Sequence, residues 1–286
     1  MFYSLRRYEM TKCTAITIAA VIGLLAATAE ADVLYKAGSY GVLEHIDPDT
    51  FAIVQSVPLA NDIYSLATQP GTDTLFGITY ENGGNGLVTI DPATGTFTPV
   101  VELLDPNDSR PYFSNITFTP DGSLYVVATP DCGWTPGAIL EVNMATGELT
   151  DTALTYGGHG GQALEFNPDD GLFYHFYNDA DLGEGNNFLE TVDPVSGTVT
   201  PITLTGYDLN AVNGLVYAGA GKFYAYDAAE LVSAGDLLEI TADGVVTWLH
   251  DYDDYYHHGL ALDTYVPEPA TLSLLVLGGL ALLRRR

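Results

Sequence analysis

The stretch Ile90-Asp91-Pro92-Ala93-Thr94-Gly95 decides the fold, because it returns along the chain. Related stretches are Ile46-Asp47-Pro48-Asp49-Thr50, Val142-Asn143-Met144-Ala145-Thr146-Gly147 and Val192-Asp193-Pro194-Val195-Ser196-Gly197, with a degenerate copy at Ile240-Thr241-Ala242-Asp243-Gly244. Successive copies are 44, 52, 50 and 48 residues apart. The residue types are those of a hairpin turn. Asp or Asn bonds the backbone ahead, Pro presets φ, and Gly takes the left-handed position.

A second motif interleaves with the first: a strand, a Pro/Gly/Asp turn, then an aromatic-rich strand. Ile116-Thr117-Phe118-Thr119-Pro120-Asp121-Gly122 leads to Leu124-Tyr125-Val126, and Leu164-Glu165-Phe166-Asn167-Pro168-Asp169 leads to Leu172-Phe173-Tyr174. Each period therefore holds four short strands, the pattern of a propeller blade. Four full blades are expected at about 63–102, 114–155, 162–205 and 212–250. Three strands are left at the start (33–36, 41–47, 51–57) and one at the end (259–263). Joined, they make a fifth blade that closes the ring by pairing the N- and C-terminal strands and leaves no open seam. The fold class is all-β, a five-bladed propeller, with six blades as the alternative. The repeats loosely resemble extracellular propellers of secreted bacterial proteins that carry Asp-Pro-x-Thr-Gly turns, a resemblance that implies no particular activity.

Charge sets the first functional limits. The 286 residues include 37 acidic and 9 basic ones, a formal charge of −28. Between Asp32 and Val266 only Lys36, Arg110 and Lys222 are basic, against 34 acidic residues, so this segment carries −31. Nucleic acid and anionic membrane surfaces need clustered Lys and Arg and are excluded as partners. With 47% apolar residues the acidity does not mean disorder.

Both ends read as addresses. Arg6, Arg7 and Lys12 precede an apolar run from Ala15 to Ala27, and Ala29-Glu30-Ala31 offers small residues for cleavage, so residues 1–31 are expected to be a signal peptide. Met10 is an alternative start, and an uncleaved anchor is the alternative fate. At the other end Pro267-Glu268-Pro269 precedes a mostly apolar run from Ala270 to Leu283 and then three arginines, Arg284 to Arg286. Fourteen helical residues span about 21 Å, short of the ~30 Å of a bilayer core. This end resembles the PEP-CTERM sorting signal of Gram-negative bacteria. The resemblance implies an exosortase as processing partner, transient anchoring of the hydrophobic tail in the inner membrane, and release or attachment at the cell surface, often with exopolysaccharide. An ordinary tail anchor is the other reading of residues 266–286. The domain plan is thus signal helix 1–31, propeller 32–265 and sorting helix 266–286. Cys132 is the single cysteine outside the signal, so no internal disulfide is expected.

Candidate site residues follow from the topology. With strands A to D numbered from the axis outward, the short turns join A–B and C–D, so the longer B–C and D–A connections share the opposite end. Long loops on a rigid scaffold are where binding residues concentrate. The inner strands also begin there and carry Asn61, Tyr64, Tyr112, Asn115, His159, Gln162, Asn210, Asn213, His257 and His258, with Arg110 in a nearby loop. Hydroxyls, amides, imidazoles and aromatic rings around a channel mouth suit a sugar, since rings stack on sugar faces and amides read hydroxyls. The same residue types also serve to cap strand ends and hold channel water. His159, His257 and His258 are a second, metal-binding option. Asp179, Asp181 and Glu184 alternate as oxygen ligands do in a calcium loop, but lack the EF-hand spacing. Calcium is therefore an optional ligand and no cofactor is required.

No Gly-x-Ser-x-Gly, His-Glu-x-x-His or Gly-Lys-Ser/Thr motif occurs. Three readings stay open: a non-catalytic surface or matrix protein whose propeller binds exopolysaccharide or a surface protein; a secreted polysaccharide hydrolase or lyase working at the channel mouth; and a purely structural acidic coat protein.

Overall fold

The computed structural model describes residues 32–263 except 39–40, 82–83, 105–111, 130–136, 156–162, 179–186, 210, 229–234 and 253–256. The compact unit spans Val33–Thr264. Its strands in chain order begin with β1 (Val33–Gly38), β2 (Val42–Ile46) and β3 (Ile53–Pro58). Blade 1 follows as β4 (Ser65–Gln69), β5 (Thr74–Glu81), β6 (Gly84–Asp91) and β7 (Thr96–Glu102). Blade 2 is β8 (Tyr112–Phe118), β9 (Leu124–Thr129), β10 (Ala138–Val142) and β11 (Leu149–Leu154). Blade 3 is β12 (Ala163–Asn167), β13 (Leu172–Asn178), β14 (Asn187–Val192) and β15 (Val199–Ile202). A two-residue strand β16 (Thr205–Gly206) precedes blade 4, which is β17 (Val212–Gly219), β18 (Lys222–Ala228), β19 (Gly235–Thr241) and β20 (Val245–Tyr252). The last strand is β21 (His257–Asp263).

Blade 5 has the order β21-β1-β2-β3, with β1 and β21 antiparallel from Val33↔Asp263 to Gly38↔His257. The expected closure of the ring by the two terminal strands is therefore the observed one. The inner strands touch in the cycle β21, β4, β8, β12, β17 and back to β21, which makes the ring five-bladed.

The core is divided as a propeller requires. A blade is covered on both faces by its neighbours, so its strands bury residues of both parities. Five apolar clusters result, one in each interface between blades. Phe76 and Phe118 meet edge-on at 5.1 Å between blades 1 and 2, and Tyr174 and Phe223 lie 4.6 Å apart between blades 3 and 4. Among the described residues the cluster between blades 2 and 3 has the fewest buried apolar side chains. Alternation along β13 and β14 puts His175 and Glu190 on that same face. Both are fully buried, and His175 Nδ1 lies 2.9 Å from Glu190 Oε1.

The Asp-Pro-x-Thr-Gly turns form as their chemistry dictates. Asp91 Oδ1 accepts the Ala93 N–H, Asp91 Oδ2 accepts the Thr94 hydroxyl, and the Gly95 N–H returns to the Asp91 carbonyl. Asp193 repeats the set with Val195, Ser196 and Gly197. These turns also fasten blades together, a role the sequence does not announce. Gly95, at φ +69°, leaves its missing Cβ 2.1 Å from the Pro58 carbonyl oxygen of the preceding blade, and Gly147, at φ +76°, leaves its own 1.9 Å from that of Glu102. The Leu104 N–H bonds the Gly147 carbonyl, and Thr205 bonds that of Gly244 in the same way. Each latch runs as a short parallel pairing: Leu104 beside Glu148, and β16 beside β20. The extra strand β16 makes the blade 4 sheet five-stranded, where four were expected.

Blade 4 and blade 5 meet around Lys36, which is fully buried. Its Nζ lies 2.9 Å from Glu44 Oε2, 4.0 Å from the ring centre of Tyr252 and 5.2 Å from that of Tyr226. The Tyr252 hydroxyl reaches across the same interface to the Phe51 carbonyl at 2.9 Å.

Candidate functional site: the axial channel and its mouth

The inner strand of each blade has one edge with no partner inside its own sheet. Its N–H groups face the axis and need acceptors. In three successive blades the acceptor is a side chain of the blade before. Ser65 Oγ accepts the Ile116 N–H at 2.8 Å, and Thr117 Oγ1 accepts the Phe166 N–H at 3.3 Å. Glu165 accepts the Tyr217 N–H. The Thr117 hydroxyl in turn donates to Glu165 Oε2 at 3.0 Å. Thr117 and Glu165 hold the same place in the repeat, three residues before its proline.

Glu165 is half-buried between blades 3 and 4, beside Thr117 and Tyr217. Burial pushes its carboxyl up to about 8, against a smaller downward pull from Thr117 and the Tyr217 N–H. At neutral pH it is mostly the neutral acid, able to donate as well as accept.

Nearer the mouth, Asn115 Nδ2 donates to the Asn213 carbonyl oxygen at 3.3 Å. These residues belong to blades 2 and 4, which are not neighbours, so the bond spans the channel. Asn115 is 2% exposed and its amide is committed to that crossing. Asn213 is half-buried on β17. Tyr64, just before β4, is also half-buried, and its N–H bonds the Ile78 carbonyl at 3.0 Å. Tyr112 opens β8, and His257 and His258 open β21, two residues earlier than expected. The strand positions of these three converge on the same end of the ring as Tyr64, Asn115 and Asn213.

Several expected site residues lie outside the described residues: Arg110, His159, Gln162, the acidic triplet Asp179, Asp181 and Glu184, and the Pro267-Glu268-Pro269 motif with its tail. Among the described residues no group of three His, Cys, Asp or Glu side chains is placed to hold a metal ion, and no helix is long and apolar enough to cross a membrane.

A separate groove of about 950 Å³ lies where blade 5 passes to blade 1. It runs from Pro58 and Asn61 to Thr79, Phe97 and Glu102, and among the described residues Glu102 is the only charged one on its walls. Sequence reasoning missed this groove and also Glu165. A signal for Glu165 was present: a carboxylate stands at the centre of an inner strand where the other copies have Ala67 and Thr117.

No family model matches the sequence, and no curated protein matches it. Solved structures share its fold. A protein of unknown function from Bacteroides caccae is 16% identical with a TM-score of 0.52, over 82% of this chain and 99% of that one. A chain of a nidogen/laminin complex is 11% identical with a TM-score of 0.54, over 82% and 98%. TolB from Acinetobacter baumannii is 15% identical with a TM-score of 0.50, over 82% and 66%. At these identities the likeness is one of fold.

Proposed function

We propose that this protein is an exported, acidic cell-surface or matrix protein, sorted by an exosortase through its Pro267-Glu268-Pro269 tail, whose propeller serves as a non-catalytic binding or structural module. Its ligand in this reading is a neutral stretch of exopolysaccharide, held at the channel mouth by Tyr64, Tyr112, Asn213, Gln162 and the histidines 159, 257 and 258. The observation that carries the reading is a closed ring whose inner strands all start at one end, around a channel with hydroxyl, amide and carboxyl groups bonded between blades. The fold suits binding. One of the similar structures is, by its description, a chain from a nidogen/laminin complex.

The test is thermal unfolding of the exported chain against a panel of exopolysaccharides, run beside an assay for released reducing ends. Saturable stabilisation that disappears in Tyr64→Ala and His159→Ala supports a binding module. Released reducing ends would transfer the assignment to a polysaccharide hydrolase or lyase. The sorting part is tested separately, by the mass of the surface protein in a host with and without exosortase; a tail retained in both cases would overturn it.

A further inference from the structure

Blade 4 carries a row of three aspartates that the channel does not use. Asp227, Asp236 and Asp251 are register partners across β18, β19 and β20. Residues directly opposite one another share a face, and like charges so placed repel. Alternation with Phe223 and Leu238 puts Asp227 and Asp236 on the face turned toward blade 3, and the register shift between Trp248 and His250 brings Asp251 to the same face. Asp227 is buried and takes the Ala211 N–H at 2.6 Å. Asp236 and Asp251 lie farther out. Among the described residues neither is in an ion pair, and the two lysines are already paired, Lys36 with Glu44 and Lys222 with Glu239.

Two large rings flank the outer part of this row. The Tyr207 hydroxyl donates to Asp236 Oδ2 at 2.6 Å, and Trp248 Nε1 donates to Asp236 Oδ1 at 2.9 Å. Tyr207 is 38% exposed and Trp248 48%. One carboxylate thus pins both rings by their polar edges and leaves ring surface in water. Each Asp236 oxygen keeps a further lone pair. The Tyr207 hydroxyl is held as a donor, its pKa raised to about 12, first by the bond to Asp236 and then by burial and the Asp236, Asp227 and Asp251 charges.

The same protein shows what such a donor set holds. On the other face of blade 4, the Lys36 ammonium sits against two tyrosine rings and one carboxylate. Negative charge and pinned ring faces together attract an organic cation. Hard metal ions take oxygen ligands and gain nothing from the rings. Anionic ligands are repelled by the row.

We propose that Tyr207, Asp236 and Trp248, backed by Asp251, form an open receptor for an alkylammonium group, whether carried by a polyamine or by a lysine side chain. The site lies on the outer part of blade 4, apart from the channel mouth, and goes beyond the function proposed above.

The test uses Trp248 as its own reporter, in the full chain with Trp134→Phe, which leaves one tryptophan. The expected result is a saturable change in its fluorescence with n-butylammonium, weakened by added salt and absent with n-butanol. Spermidine and N-acetyl-lysine amide as separate arms tell a polyamine from a lysine source. Asp236→Asn and the exposed Asp251→Asn each weaken binding, Asp236→Asn by roughly tenfold, with unchanged unfolding midpoints as the control on folding. No saturable response, an equal response to n-butanol, equal affinity in both variants, or saturation by calcium that excludes the ammonium would each overturn the proposal.

Discussion

Thr117 and Glu165 stand on adjacent blades, and the 3.0 Å bond between them joins a hydroxyl to a carboxyl that is mostly protonated at neutral pH. Polar residues on the inner strands do the work that main-chain pairing does elsewhere in each blade. The channel lining is therefore structural before it is anything else.

The first prediction concerns pH. The Glu165 carboxyl has a folded pKa of about 8 against 4.5 for the unconstrained group. Below pH 4.5 both states are protonated and the group contributes nothing. Between about 4.5 and 8 the unfolded chain loses the proton while the folded one keeps it, so stability falls as pH rises, by about 1.4 kcal/mol per unit at most. Above 8 the penalty is constant. Asp91 and Asp193 act in the opposite sense: bonds from the hydroxyls of Thr94 and Ser196, then from turn N–H groups, hold their pKa values below 3.8, so their contribution is lost as pH falls through that range. Urea midpoints measured from pH 5 to 8 should decline in the native protein and decline less in Glu165→Gln. Parallel curves would contradict the assignment.

A second prediction separates two glycines that look alike in sequence. Gly147 and Gly197 both sit at φ near +70° in equivalent turns. A Cβ at 147 would meet the Glu102 carbonyl oxygen at 1.9 Å, whereas at 197 it meets nothing within 4 Å. Gly197→Ala should cost about 1–2 kcal/mol, the penalty of a left-handed alanine. Gly147→Ala should cost clearly more, because the blade 1–blade 2 latch must open. Chemical unfolding of the two variants gives the comparison.

Lys36 provides a third. Removing one partner of a buried ion pair typically costs about 3–5 kcal/mol, because the other charge is left without compensation. Lys36→Ala should lose that much and also its contacts with the Tyr226 and Tyr252 rings. Lys36→Met in a Glu44→Gln background keeps the packing without a buried charge and should recover most of the loss. A double variant no more stable than Lys36→Ala would refute this account.

The pair between blades 2 and 3 gives the fourth. Among the described residues His175 Nε2 and Glu190 Oε2 are buried without hydrogen-bond partners, in the interface with the fewest buried apolar side chains. Glu190→Leu and His175→Leu should each destabilise by a few kcal/mol, while the double variant should be nearer to native than either, since both polar groups then leave the interface together. A double-mutant cycle from unfolding midpoints measures the coupling.

Much of this architecture is legible in the residues. The turn stretches around Asp47, Asp91, Asn143 and Asp193 mark the C–D hairpins, and the leftover strands at 33–57 and 259–263 demand closure by pairing. The latches are not legible, because a glycine that enables a turn and one that also abuts the next blade carry the same letter. β16 is hidden for a related reason: two residues beside a neighbouring strand leave no periodicity. Asn115 is legible in the sequence as an amide at the entry of an inner strand. Its bond to a main-chain carbonyl two blades away depends on ring geometry that no local pattern encodes. Tyr207, Asp236 and Trp248 are scattered over 42 residues, and only the wrap of the chain after β15 brings them together.

The pairing of β1 with β21 has a mechanical consequence. Val33 and Asp263 are partners at the same end of that ladder, so a force pulling residue 263 away from residue 33 loads the hydrogen bonds one pair at a time, as a zipper is drawn. Such a seam yields at low force compared with one sheared along its length. A tether at one terminus with the other left free would spare the ring this load, whereas tension between the two termini would open blade 5 first.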